Sequence, residues 1–283
     1  MPLPVVLSGR TVRLEPLAPQ HAAAIAAAGT EDRTTYAFTP VPHSPDAAEI
    51  YIERALAEQA VGRALPFAVV STADGRIVGS TRFLELDYWQ GPMVWPSVPG
   101  VPHGDPLTSV PDAAEIGNTW LSPRAQGTGV NTEAKLLMLR HAFEVWGVRR
   151  ISMRADARNL RSRAAIERLG ATCEGVRRAH SRGLDGAVRS TAFYSVLDEE
   201  WPAVRAHIEG RLDRVARLDH PARLDHPARL DHPARFDTVP GLGTVPGLAT
   251  VPGLGAVSGM AAVSGLDTVP GLDAAPRGPL VPA

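Results

Sequence analysis

The chain has 283 residues, with 29 Lys+Arg against 30 Asp+Glu and a formal charge of −1. That balance argues against a globally basic nucleic-acid binder, while a local basic patch stays compatible with it. The single cysteine, Cys173, excludes an intrachain disulfide and a cysteine-cluster metal site. No apolar run approaches the roughly 20 residues that span a bilayer, and Met1–Thr11, with Pro2 and Pro4, lacks the basic start and apolar segment of a secretion signal. The expectation is a soluble cytoplasmic protein with no membrane or direct nucleic-acid partner.

Val5–Arg13 reads as extended, Pro16 and Pro19 interrupt it, and His21–Ala28 is alanine-rich enough for a helix that Gly29 stops. Thr30–Pro45 has no period and reads as loop. Ser44 then caps a helix over Asp46–Val61, with Pro45 in its first turn. Phe67–Ser71 and Ile77–Leu84 flank Asp74-Gly75, a hairpin signal. Leu86–Pro111 is a long proline-rich loop, either a simple insertion or a segment beside a binding site.

Ala114–Leu121 is a strand whose simple alternation puts Glu115, Gly117, Thr119 and Leu121 on one face and Ile116, Asn118 and Trp120 on the other. After a glycine-bearing turn, Asn131–Trp146 carries an apolar stripe at helical spacing through Leu136, Leu139, Phe143 and Trp146. Ile151, Met153 and Ala155 alternate in a strand, Leu160–Leu169 forms a short helix, and strands follow over Ala171–Val176 and Val188–Leu197. Cys173, isolated in such a strand, reads as an inert core thiol. Glu199–Leu212 completes the order as a helix. Strands repeatedly interrupted by helices, with one hairpin, give a mixed α/β (α+β) domain over residues 1–212.

Residues 213–283 hold no Trp or Tyr and one Phe, Phe236, so they have almost nothing large to bury. They repeat with a period of six, first as Arg-Leu-Asp-His-Pro-Ala and then as Thr-Val-Pro-Gly-Leu-Gly and its variants. Proline in nearly every unit removes the donors a β-helix needs, so the reading is a disordered low-complexity tail. His220, His226 and His232 recur in it beside aspartates. With nothing to fix their geometry they are no metal site, and no metal is expected.

The chemistry lies in Leu121-Ser122-Pro123-Arg124-Ala125-Gln126-Gly127-Thr128-Gly129-Val130, between a strand and a helix. Consecutive amides at a helix start can cradle a pyrophosphate, and glycine lets the ligand approach. Neither a dinucleotide fingerprint nor a P-loop is present. An anion site and an ordinary glycine turn fit these residues equally.

Arg124-x-x-Gly127-x-Gly129 followed by a helix resembles the acetyl-coenzyme A pyrophosphate motif of the GNAT N-acetyltransferases. Asn159-Leu160-Arg161-Ser162, Arg168-Leu169-Gly170 and Glu174-Gly175-Val176-Arg177 are similar to the branch of ribosomal-protein N-terminal acetyltransferases. The resemblance covers about Val5–Val204. It implies a GNAT-like fold whose mixed sheet splays beside the strand before the turn, and acetyl-CoA as cosubstrate. Leu121, Arg124, Gln126, Gly127, Thr128, Gly129, Val130, Asn159 and Ser162 are then the cofactor residues, Asn159 on the pantetheine arm and Ser162 near the thioester sulfur. Alternatively, Asn159 is a helix cap and Ser162 a first-turn residue.

Amine acetylation needs a base, oxyanion donors and a route for protonating the thiolate. A backbone amide near Trp120 or Leu121 suits the oxyanion. Glu115 is the candidate base, His180 an alternative on the acceptor side, and Ser162 the group at the leaving sulfur. His180-Ser181-Arg182 stands where the ribosomal branch usually presents an acidic residue, which weakens a direct transfer of that mechanism. Tyr36, Phe38 and Trp120 are candidates for an apolar acceptor pocket, and Arg33 or Arg82 for attracting a negative group, with core packing and surface charge as the default for each. The expected function is acetyl transfer to a primary amine, of a protein N-terminus or a small molecule. The competing one is a non-catalytic acyl-CoA-binding regulatory or interaction protein. Assembly as a homodimer stays open.

Overall fold

The computed structural model describes residues 2–89 and 110–219, with side chains through Arg217. The loop expected over Leu86–Pro111 lies outside these residues except at its ends, and the repeat tail with its expected disorder lies outside them beyond Asp219.

In chain order the strands are β1 (Leu7–Ser8), β2 (Val12–Pro16), β3 (Ala64–Ser71), β4 (Ile77–Asp87), β5 (Ala113–Leu121), β6 (Arg150–Asp156), β7 (Thr172–Arg182) and β8 (Val188–Leu197). Helices α1 (Ala22–Thr30) and α2 (Pro45–Ala60) precede β3, α3 (Val130–Arg140) joins β5 to β6, α4 (Leu160–Glu167) joins β6 to β7, and α5 (Trp201–Asp219) follows β8. The strands form one sheet in the order β1-β2-β3-β4-β5-β6-β8-β7. The mixed α/β class and the hairpin hold: Gly75 takes a left-handed φ of 71° in the β3–β4 turn. Ser44 Oγ accepts from Ala47 N at 3.2 Å and starts α2, the cap its sequence called for.

Two cores flank the sheet. The larger packs α3 and α5 against one face through Met138, Leu139, Ile151, Met153, Tyr194 and Ile208. The smaller packs α1 and α2 against the other through Ile25, Ile52, Ala68 and Trp120. The stripe on α3 is buried, but the helix widens into a π-helical turn over His141–Trp146 before Gly147 stops it at a φ of 70°.

All pairings are antiparallel except β5 with β6, which run parallel for three residue pairs, Ala113↔Arg150, Ala114↔Ile151 and Glu115↔Ser152. Past Glu115 the two strands separate. β5 continues to Leu121 on β4, and β6 continues to Asp156 on β8, so their facing edges open into a slot.

β5 also corrects the expected alternation. Arg82 pairs with Gly117 and Ser80 with Trp120, so Thr81 faces the two residues Asn118 and Thr119. Asn118 has a φ of 47°, a left-handed conformation asparagine tolerates better than most residues. This bulge shifts the phase by one residue. Ile116 and Leu121 both face the larger core, while Trp120 faces the smaller one. Glu115 therefore does not share a face with Leu121, and shares one with Trp120.

Two further expectations change. Cys173 is exposed, because β7 is the sheet edge and exposed along nearly its whole length, so it is no core thiol. The terminal helix runs to Asp219, past Leu212, carrying Leu212 into the larger core. Ile208 of α5 is fully buried. Ile208→Ala should cost about 2–5 kcal/mol of unfolding free energy, read as a lower denaturant midpoint at unchanged slope.

Candidate active site

The turn after β5 is shaped by its own hydrogen bonds. Ala125 N donates to Ser122 O at 2.9 Å and Gln126 N to Pro123 O at 3.1 Å, a single 3₁₀ turn. Gly127 and Gly129 then take φ values of 78° and 86°, and Gly129 leads directly into α3. The amides of Gly127, Thr128 and Gly129 find no protein acceptor among the described residues. A Cβ on Gly127 would meet nothing within 4 Å, so the space over it is open. Three unpaired N–H groups at the positive end of a helix form an anion cradle. Its foundation is Glu133, buried in the first turn of α3, which accepts from Arg10 N and Thr11 N at 2.7 Å and from Thr11 Oγ1 at 2.5 Å. That tie fastens the β1–β2 turn beneath the cradle.

The other expected cofactor residues divide by what their polar atoms already do. Gln126 donates to Leu121 O at 2.8 Å and Thr35 Oγ1 at 3.1 Å and accepts from Arg161 Nη1 at 2.7 Å, so its side chain braces the loop. Arg124 is ion-paired with Glu31, and Thr128 Oγ1 donates to Ala125 O at 2.8 Å. Val130 is buried at the head of α3. Leu121 O accepts from Tyr36 OH at 3.0 Å as well as from Gln126. Ser122 N donates to Val78 O, which makes Trp120–Ser80 the hydrogen-bonded pair and turns Leu121 N toward the slot. Across the slot, Asn159 Oδ1 accepts from Ser162 N at 3.0 Å and caps α4. The cap fixes Ser162, half-buried, in the first turn.

On the face away from α3, Glu115 is buried at 4% exposure, and its carboxylate meets Arg154 Nε at 3.1 Å. Burial raises its pKa to about 7; Arg154 and Arg189 oppose the shift, and Glu85 adds to it. Arg154 also reaches Glu85 at 2.6 Å, so its charge is shared between two carboxylates. His180 lies on the same side, with Nδ1 3.0 Å from Thr191 Oγ1 and Nε2 3.3 Å from Arg177 Nη1. Since arginine can only donate, Nε2 accepts, and the imidazole is neutral. Desolvation, then Arg177, Arg154 and Arg189, lower its pKa.

Of the expected acceptor residues, Tyr36 and Trp120 meet edge to face at 6.2 Å in the smaller core. Phe38 lies under the guanidinium of Arg158, and Arg33 is spent on Gly29 O and Val41 O. Reading the sequence missed Arg161, Arg154 and Lys135. Arg161 joins α4 to the loop through Gln126 Oε1 and Thr35 O. Lys135, on α3, is buried and donates to Thr81 Oγ1 at 2.9 Å and Thr119 Oγ1 at 2.6 Å, beneath the bulge. Burial lowers its pKa to about 7. Its signal was available: it is the only lysine in the chain.

An open cradle of unpaired amides at the head of α3, beside a slot between splayed strands, fits an acyl-CoA transferase fold, and residues 11–172 match the family described as "Acetyltransferase (GNAT) domain". The chain belongs to this GNAT family. It is 34% identical over 95 residues to "Putative ribosomal N-acetyltransferase YdaF" of Bacillus subtilis (strain 168), a match spanning 34% of this chain and about half, 51%, of that protein. A GCN5-related N-acetyltransferase from Brucella melitensis has a similar structure, with a TM-score of 0.62 and 28% identity over 74% of this chain and 86% of that one. The structure described as "putative acetyltransferase from T. thermophilus" gives a TM-score of 0.58 and 34% identity over 75% of this chain and 99% of that one. Among the described residues no helix is long and apolar enough to cross a membrane, and no group of three or more His, Cys, Asp or Glu side chains is placed to hold a metal ion.

The carboxyl of Glu115 makes stability depend on pH. Unfolded it titrates near 4.5 and folded near 7, so between these values the folded state binds more protons. Its contribution falls as pH rises from about 4.5 to about 7 and stays lost above. Unfolding titrations at about pH 5 and pH 8 should show wild type losing stability relative to Glu115→Gln across that interval.

Proposed function

We propose that the protein is an acetyl-CoA-dependent N-acetyltransferase acting in the cytoplasm on a primary amine of a small molecule or a protein N-terminus. The observation that carries this reading is the set of unpartnered amides at Gly127, Thr128 and Gly129, opening beside the slot between β5 and β6. The cosubstrate supplies an acetyl thioester that the amine attacks, with a thiolate leaving. The amides from Gly127 to Val130 hold its pyrophosphate, and Leu121 N, directed into the slot, donates to the thioester oxygen. Glu115, titrating near neutrality, takes the amine proton directly or through water. Ser162, held by the Asn159 cap, donates at the departing sulfur. His180 is the weaker base, because Arg177 already occupies its Nε2. Residues 1–212 with the remainder of α5 form the enzyme unit, and the hexad tail is dispensable for turnover.

Binding without turnover is the competing reading, and the burial of Glu115 speaks against it, since that carboxylate stands on the face away from α3 and takes no part in the anion cradle. Gly127→Leu should weaken acetyl-CoA binding at least tenfold by calorimetry, about 1.4 kcal/mol or more, with the fold retained in circular dichroism. Glu115→Gln should lower kcat by about 10²–10⁴ and abolish the rise of rate with pH through about 7 expected of wild type. Ser162→Ala should lower kcat with little change in acetyl-CoA affinity, and raising the pH should not restore it. The measurement is turnover of amines and peptide N-termini; a chain that binds acetyl-CoA and acetylates none of them is a binding protein.

A further inference from the structure

Arg82 is the least accounted-for charge in the structure. It lies on β4 at 6% exposure, makes no ion pair and no hydrogen bond with the described residues, and its Nε is buried without an acceptor. Its guanidinium sits 5.0 Å over the ring of Tyr51 on α2, which fixes its direction on the face away from α3. A second buried donor on that face, Trp120 Nε1, is also without a partner.

The register brings these donors to the candidate base. Arg82 is the cross-strand partner of Gly117, and Ser80 that of Trp120. A Cβ on Gly117 would lie 2.9 Å from both Glu115 Oε1 and Leu84 Cδ2, so the carboxylate of Glu115 reaches over Gly117. Arg82 thus stands one strand spacing, about 4.8 Å, across from the residue that Glu115 covers. A buried cation and a buried indole N–H, both unmatched among the described residues, call for an acceptor-rich group to pair with them. A carboxylate matches a guanidinium bidentately, and a monoanion loses less hydration on burial than a phosphate dianion does.

We infer that the acceptor amine carries a carboxylate a few bonds from its nitrogen, bound by Arg82 and Trp120 Nε1 while the amine faces Glu115. The inference rests on the acetyl-transfer reading and adds the acceptor's chemical class: an amino acid or other amino-carboxylate.

The test uses primary amines matched in length that end in a carboxylate, its neutral amide or a phosphonate, titrated by calorimetry into the full chain saturated with coenzyme A. Wild type should bind the carboxylate at least about tenfold more tightly than the amide and more tightly than the phosphonate. Arg82→Gln should remove that preference with coenzyme A affinity unchanged, and Trp120→Phe, which keeps the ring, should reduce it. The wild-type comparison decides the matter even where Arg82→Gln fails to fold. Equal affinity for carboxylate and amide, tighter phosphonate binding, no binding of any member, or a preference that survives in Arg82→Gln would overturn the inference. Turnover of the same amines with acetyl-CoA separates the two readings. A binding preference without acetylation rejects acetyl transfer and leaves the carboxylate site, whereas acetylation without preference does the reverse.

Discussion

β5 carries one residue more than β4 can pair with, and the surplus falls at Asn118, where the chain accepts a φ of 47°. The site depends on this local misfit. Below the bulge, β5 pairs with β6 as an ordinary parallel strand, and above it the two edges separate. The bulge bends and twists β5, and it reverses the side of the sheet on which each later residue stands. Leu121 can then face α3 and lead into the phosphate cradle while Glu115 faces the opposite side. A regular strand would put both on one face, and the proposed base would share that side with the glycine loop.

Charge is concentrated around this irregularity on both faces. Beneath it, Lys135 reaches Thr119 and Thr81 with no carboxylate in contact, and burial pulls its pKa down to about 7. Above it, Glu115 has half a share of Arg154, and Arg82 has no counter-ion among the described residues. Desolvating such groups costs several kcal/mol each, and apolar side chains would relieve it. The ammonium of Lys135 has a structural role in fastening the extra residue, because Thr119 belongs to the bulge. No such role covers Glu115 or Arg82.

Much of this was legible in the sequence. Ser44-Pro45, Asp74-Gly75 and the alternation of Ile151, Met153 and Ala155 act through neighbours a few residues away, so the elements they mark lie where local chemistry puts them. The glycine turn after β5 was readable for the same reason. What escaped depends on distant partners. Alternation placed Glu115 with Leu121, and only the pairing with β4 reveals the inserted residue. Cys173 looked buried because edge and centre strands share a composition, and β7 becomes an edge only through the sheet order. Glu133 and Arg161 look like ordinary helix surface until the β1–β2 turn and the Thr35 loop fold onto them.

In the proposed reaction the two faces also separate the two substrates energetically. The proposed pyrophosphate cradle at the head of α3 is built from backbone amides with the support of Glu133. Neither Glu115 nor Arg82 contributes to it, since both stand on the opposite face of the sheet. Their burial therefore gains nothing from the cofactor. It is explained if a second molecule enters from that face carrying a proton for one group and a negative charge for the other. The desolvation that raises the pKa of Glu115 to about 7 then becomes part of acceptor binding, together with the unpaired Nε of Arg82.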